Sequence, residues 1–161
     1  MLYLCDTSAL LDAKDYFYSF DFVPYFWDWL EEQGSAGRMK VCQEAYDELK
    51  VDNGDFGAWI RKPEIKAALL LDEVLDEEHV NRVLDTYATD LTENELEACG
   101  KDAAIISYCL ADATGRTLIT AEVSKPSLQR HKRRMPDVAV ELGIATGTLL
   151  LALRQLSFRV P

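Results

Sequence analysis

Histidine and cysteine are scarce in this 161-residue chain, and their placement excludes the chemistries that lean on them. Cys5, Cys42, Cys99 and Cys109 lie far apart, with no CxxC pair and no histidine-rich segment, so neither a zinc site nor a disulfide framework is indicated. They read as reduced thiols of a cytoplasmic protein. No apolar run approaches the ~20 residues a membrane span needs. The amino-terminus has no basic region ahead of an apolar core, so no secretory signal is expected. Positive charge is also short: 17 Lys and Arg against 28 Asp and Glu leave a formal net charge of −11. That balance argues against a protein that coats nucleic acid non-specifically, because phosphate binding draws on Lys and Arg. Apolar content is ample at 48%, which excludes a disordered chain. The length suits one domain with a real core rather than two, so residues 1–161 are expected to form a single domain.

The first eight residues carry the earliest functional signal. Leu2, Tyr3, Leu4 and Cys5 form a continuous apolar run that suits a strand covered on both faces of a parallel sheet, and the run stops at Asp6. A carboxylate at the carboxyl end of such a strand lies where open α/β sheets bind ligands. A strand-to-helix turn accounts for an acid there equally well. Thr7 or Ser8 is positioned to cap the helix that follows.

Further along, Tyr16 to Trp29 gathers nine of the sixteen aromatic residues. Phe22, Phe26, Trp29 and Leu30 fall at helical spacing, so a helix with an aromatic face is expected over Val23 to Gln33, with Pro24 in its first turn. Core packing is its ordinary meaning; partner binding or base stacking is the alternative. Gly34 to Gly37 closes that helix. Met39 to Cys42 reads as a short strand and Gln43 to Lys50 as the helix leaving it, with Glu44 and Glu48 on one face. Val51 to Lys62 reads as a polar loop with a short helical piece around Trp59. Ile65 to Leu75 is ambiguous between strand and helix. A helix is expected over Glu77 to Tyr87, a loop over the acidic Asp90 to Gly100, and a helix over Asp102 to Ala113 with Asp102 in its first turn, where the helix dipole favours an acid. Thr117 to Thr120 reads as a buried strand running into Glu122. Pro136 begins a short helix, Ile144 and Ala145 suggest a last strand, and Leu149 to Leu156 an apolar helix. Strands alternating with helices make a mainly parallel α/β sheet.

Charge is spread unevenly. Asp72 to Glu97 holds ten acids and one basic residue, Arg82, whereas Lys125 to Arg134 holds five basic residues and no acid. Either run is ordinarily a solvated face, and either can be a binding surface.

Four acids thus recur at strand ends or first helical turns: Asp6, Glu48 with Glu44 one turn earlier, Asp102 and Glu122. Converging carboxylates repel unless a cation lies between them, and hard oxygen ligands suit Mg²⁺ or Mn²⁺. Such an ion activates a bound water and steadies charge on a phosphoryl oxygen.

The segments Leu4 to Ser8, Glu44 to Leu49, Lys101 to Ile106 and Leu118 to Glu122 resemble, in order and spacing, the acidic motifs of PIN-domain nucleases. Asp12 to Leu30 and Met135 to Val138 resemble more specifically a PIN-like bacterial and archaeal family of unassigned function, some of whose members lie beside helix-turn-helix regulators as toxins lie beside antitoxins. The resemblance implies a three-layer PIN-like domain with a mainly parallel central sheet flanked by helices. It also implies a metal-dependent endoribonuclease that leaves a 5′-phosphate and a 3′-hydroxyl. Asp6, Glu48, Asp102 and Glu122 then carry catalysis and hold Mg²⁺ or Mn²⁺, with Thr7, Ser8, Glu44 and Thr120 in support. Glu122 departs from the Asp common in the fourth PIN motif, one methylene longer. Lys125, Arg130, Lys132, Arg133 and Arg134 follow that motif and are placed, by charge and position, to hold RNA phosphates. A toxin of a type II toxin–antitoxin pair is the expected biology, with RNA as substrate, a helix-turn-helix antitoxin or a second copy of the chain as protein partner, and no membrane.

Other classes fit less well. A haloacid dehalogenase-type phosphatase needs a second Asp where Ser8 stands. A serine hydrolase built on Ser8 with His79 or His131 lacks the glycines of a nucleophile elbow. A non-catalytic PIN-like module that binds RNA or protein, and a housekeeping RNA-processing nuclease, are the alternatives that stand.

Overall fold

The structure, a computed structural model describing all 161 residues, is a three-layer α/β domain around a four-stranded, all-parallel sheet. The elements in chain order are β1 (Leu2–Cys5), α1 (Thr7–Asp12), a π turn (Ala13–Phe17), α2 (Pro24–Ser35), β2 (Met39–Lys40), α3 (Gln43–Leu49), α4 (Asp55–Ile60), α5 (Pro63–Leu69), α6 (Glu77–Tyr87) and α7 (Glu93–Leu110). They continue with β3 (Arg116–Ile119), a 3₁₀ turn (Arg130–Lys132), α8 (Met135–Glu141), β4 (Ala145–Gly147) and α9 (Leu149–Gln155).

The strand order is β2-β1-β3-β4. Tyr3 pairs with Met39 on one side and with Thr117 on the other, so β1 is central. Successive side chains on a strand point to opposite faces, and Tyr3, Leu4 and Cys5 are all buried, as are Thr117, Leu118 and Ile119. Both faces of the sheet are therefore covered, as an apolar run with no alternation requires. From β1 the chain moves outward to β2, then crosses back over β1 to reach β3 and continues to β4. The direction of progress reverses between β1 and β3. In open parallel sheets the crevice at the carboxyl ends of such a pair is where ligands bind.

The aromatic stretch is mostly core. Trp27 stacks on Phe20 with ring centroids 4.3 Å apart and meets Phe56 and Trp59 edge-on, while its indole N–H donates to the Tyr18 carbonyl at 2.7 Å. The buried stripe of α2 is Phe26, Trp27, Leu30, Gln33 and Gly34. Phe22, counted into that stripe from the sequence, precedes the helix and is 82% exposed. Gly34 lets α2 and α5 touch, since a Cβ there would stand 2.8 Å from the Ala68 carbonyl oxygen.

Three sequence expectations change. The ambiguous Ile65 to Leu75 proves to be both things in turn: α5 ends at Leu69, and Leu70 then makes a parallel bridge to Val41 that extends the sheet. Of the expected loop Asp90 to Gly100 only Asp90 to Thr92 lies outside a helix, because Thr92 and Glu95 form a reciprocal capping box that starts α7 at Glu93. Asp102 therefore sits in mid-helix, and the helix dipole gives no account of it. Finally, Asp6 itself caps α1, accepting from the Ala9 N–H, in place of Thr7 or Ser8.

Candidate metal centre

Asp6 leaves the end of β1 at 3% exposure, and a buried carboxylate must find donors. Its Oδ1 accepts from the Ala9 amide at 2.8 Å, Ser8 Oγ donates to the carboxylate at 2.8–2.9 Å, and Thr120 Oγ1 donates to Oδ2 at 2.5 Å. Thr120 and Ser8 also accept from the amides of Glu122 and Ala121. Two hydroxyls thus fasten the carboxyl ends of β1 and β3 together and hold Asp6 in one orientation. Burial pushes the Asp6 carboxyl above its ordinary value; the three hydrogen bonds pull the other way, and the Glu122 charge adds to the rise.

Glu48 enters from α3. Its Oε2 accepts from Thr7 Oγ1 at 2.5 Å and its Oε1 from Lys101 Nζ at 2.9 Å. Burial works to raise its pKa, but Thr7 and Lys101 together overcome that and bring it below the ordinary value. Thr7, Glu48 and Lys101 line an open cleft of about 550 Å³. Glu122, after β3, accepts from the Met135 amide at 2.9 Å. Asp102, on α7, has no hydrogen-bond or ion-pair partner. Burial first, and then the charges of Glu122, Asp6 and Glu48, raise its pKa to about 7, with Lys101 opposing weakly. Asp102 thus stands in the field of three carboxylates from three other segments, and Asp6 in that of Glu122.

Their donor chemistry fits a hard divalent cation: all ligand atoms are carboxylate oxygens, and one acid is left without a proton donor. Their spacing is looser than that of a finished coordination shell, since no three of them stand at metal-ligand distances. Two of the four are engaged elsewhere. Lys101 and Thr7 hold both oxygens of Glu48, and the Met135 amide holds one of Glu122.

The supporting residues divide. Thr7, Ser8 and Thr120 touch the acids directly, whereas Glu44 has a buried, unpaired Oε2 and lies against Tyr108 and Cys42. Ser8 is fully engaged, and neither His79, beside Asp76, nor His131, paired with Glu95, meets it, so the serine-hydrolase arrangement is not formed. Of the basic residues, Arg130 pairs with Asp90 and Glu95, and Arg133 with Glu141 and the Thr86 carbonyl. These two fasten the basic run to the acidic one. Lys125, Lys132 and Arg134 remain exposed and without an acidic partner.

Tyr87 was not legible as a site residue. It closes α6, is 3% exposed, and its hydroxyl has no partner. Burial raises its pKa far above the ordinary phenol range, helped by the Asp102, Cys99 and Glu122 charges. Only the packing of α6 against α7 and α8 brings it there.

No helix is long and apolar enough to cross a membrane. Neither the curated proteins nor the solved structures contain a match to this chain. A family profile described as Domain of unknown function (DUF4411) does match, over residues 3–160. Nearly the whole length lies within that match, and the chain belongs to the DUF4411 family.

Proposed function

We propose that this chain is a divalent-metal-dependent endoribonuclease of PIN type, acting in the cytoplasm as the toxin of a type II toxin–antitoxin pair. The observation that carries the reading is Asp102: a carboxyl without a hydrogen-bond partner, raised to about 7 by burial and by Glu122, Asp6 and Glu48. Like charges crowded at a ligand-binding crevice are what a divalent cation would compensate. Mg²⁺ or Mn²⁺ held there would lower the pKa of a water and offset charge on the phosphoryl oxygens. Asp6, fixed by Ser8, Thr120 and Ala9, is the immobile ligand. Glu48 and Glu122, which accept from Lys101 and the Met135 amide, are the longer side chains that would hold the ion beside Asp6 and Asp102. Lys125, Lys132 and Arg134 hold the flanking phosphates.

The toxin part rests on the surface. A net charge of −11 complements a DNA-binding, basic antitoxin, and Phe22 and Tyr25 offer exposed aromatic anchors. Trp27 is wholly buried and is no anchor; Trp29, half-buried against Phe158, is the tryptophan that serves. A second reading, a non-catalytic PIN-like module that binds RNA or protein, is favoured by one observation: no three acids stand at coordination distance. Incubation of single-stranded RNA with purified protein and Mn²⁺ separates the two. The nuclease cleaves, and Asp6→Asn, folded by circular dichroism, does not; absence of cleavage in the unaltered protein favours the module.

A further inference from the structure

The carboxyl edge of the sheet holds a second feature beside the acids. A cavity of about 380 Å³ opens between α1, the π turn and α9; its walls include Asp12, Phe17, Thr120, Thr148, Leu150 and Leu153. That volume is within the ~300–1,000 Å³ of small-molecule sites. Thr120 is the partition: its hydroxyl donates to Asp6, and it also forms the cavity wall. The mouth is apolar, with Phe17 66% and Leu150 50% exposed on its rims. Large exposed apolar side chains gathered at one opening mark a surface that something covers. Among these walls Asp12 is the one charged group, half-buried, with neither a hydrogen-bond nor an ion-pair partner.

We propose that this cavity binds an unpaired nucleobase bearing amino donors, guanine before the others, so that its neighbouring phosphate is presented to the acids around Asp6. The inference rests on the ribonuclease reading and adds to it the feature that selects the cleavage position. Sequence-specific recognition of RNA takes splayed-out bases and stacks them on aromatic rings, which Phe17 supplies at the rim. Asp12 decides against an apolar protein side chain as the occupant. Covering a carboxylate with hydrocarbon leaves a charge desolvated and unpaired, whereas a base edge with N–H donors satisfies it. Carboxylates accept from base amino groups. Guanine offers N1–H and the N2 amino group side by side to both carboxylate oxygens, cytosine offers one amino group, and uracil offers a single ring N–H between two acceptors that the carboxylate repels.

The test is a titration of the whole protein, without metal, with GMP and with UMP, followed by backbone amide chemical shifts. The two nucleotides carry the same phosphate, so repulsion by the acidic site cancels in the comparison. The expected result is saturable GMP binding that moves the amides of Asp12, Phe17 and Leu150, with UMP weaker by at least about tenfold. In Asp12→Asn, which has no partner to lose, the preference for GMP over UMP falls to near unity; in Phe17→Ala both nucleotides weaken. Four outcomes overturn the proposal: no saturable binding, equal affinity for the two nucleotides, a preference unchanged in Asp12→Asn, or N-acetyl-tryptophanamide binding more tightly than GMP, which would assign the cavity to a protein anchor. None of these reads cleavage. GMP selectivity without Mn²⁺-dependent RNA cleavage keeps the base pocket and removes the nuclease, while cleavage without GMP selectivity does the reverse.

Discussion

Thr120 donates its hydroxyl to Asp6 across the gap between the carboxyl ends of β3 and β1, at 2.5 Å. The bond spans the place where the progress of the strand order reverses, and both partners are at least 97% buried. A buried carboxylate that loses a donor bears its desolvation cost alone. Thr120→Val therefore lowers the stability of the metal-free protein by about 1–3 kcal/mol in chemical denaturation at pH 7, and Thr120→Ser restores most of it. An unchanged denaturation midpoint in Thr120→Val would show that Ser8 and Ala9 suffice.

The metal-free fold has a defined pH dependence through Asp102. Its folded pKa, about 7, lies above the ordinary 3.8, so the folded state holds a proton that the unfolded state has released. Stability from this group is fully present below about pH 4 and is lost as pH rises through 7. Asp6, also raised, acts in the same sense; Glu48, lowered, acts in the opposite sense, its contribution being lost as pH falls through its folded value. Asp102→Asn isolates the first term. Its advantage over the unaltered protein grows by on the order of 2–3 kcal/mol between pH 5 and pH 8. Parallel stability curves for the two proteins would contradict the placement of Asp102 among the acids.

Tyr87→Phe removes a buried hydroxyl that has no partner. The metal-free protein keeps its stability or gains up to about 1 kcal/mol, since no hydrogen bond is broken and a desolvated donor disappears. Loss of stability on that scale in thermal melting would mean that the hydroxyl is bonded.

Lys101 donates to Glu48 Oε1, an oxygen that the proposed cation would take. Its side chain is 66% exposed, so Lys101→Met leaves the melting temperature without metal nearly unchanged. The same change enlarges the shift produced by Mn²⁺. A smaller shift would make Lys101 part of the site rather than a placeholder.

How much of this was legible in the sequence differs from element to element. β1 and Asp6 were readable because a strand buried on both faces is a local signal: an apolar run that stops at an acid. For Asp102 the sequence suggests a first helical turn where the structure has mid-helix. The signal that would have corrected it, Thr92 three residues before Glu95, lay inside a segment whose acidity suggested a loop. In the aromatic stripe of α2 the periodicity finds Phe26 and Leu30 but not Trp27, and it includes Phe22, which lies before the helix. Arg130 and Arg133 read as free cations because their acidic partners, Glu95 and Glu141 among them, belong to other segments of the chain or to α8. Tyr87 and Asp12 owe their significance to packing between distant helices, which no local pattern encodes.

Whether Asp6, Glu48, Asp102 and Glu122 close around one divalent cation is read from thermal melting across a Mn²⁺ titration. Binding to the folded state alone raises stability as RT ln(1 + [Mn²⁺]/Kd), or about 2.7 kcal/mol at one hundred times Kd. The account requires a saturable rise in melting temperature with millimolar Mn²⁺, absent in Asp6→Asn and in Asp102→Asn. No rise, or an equal rise in those two variants, contradicts it.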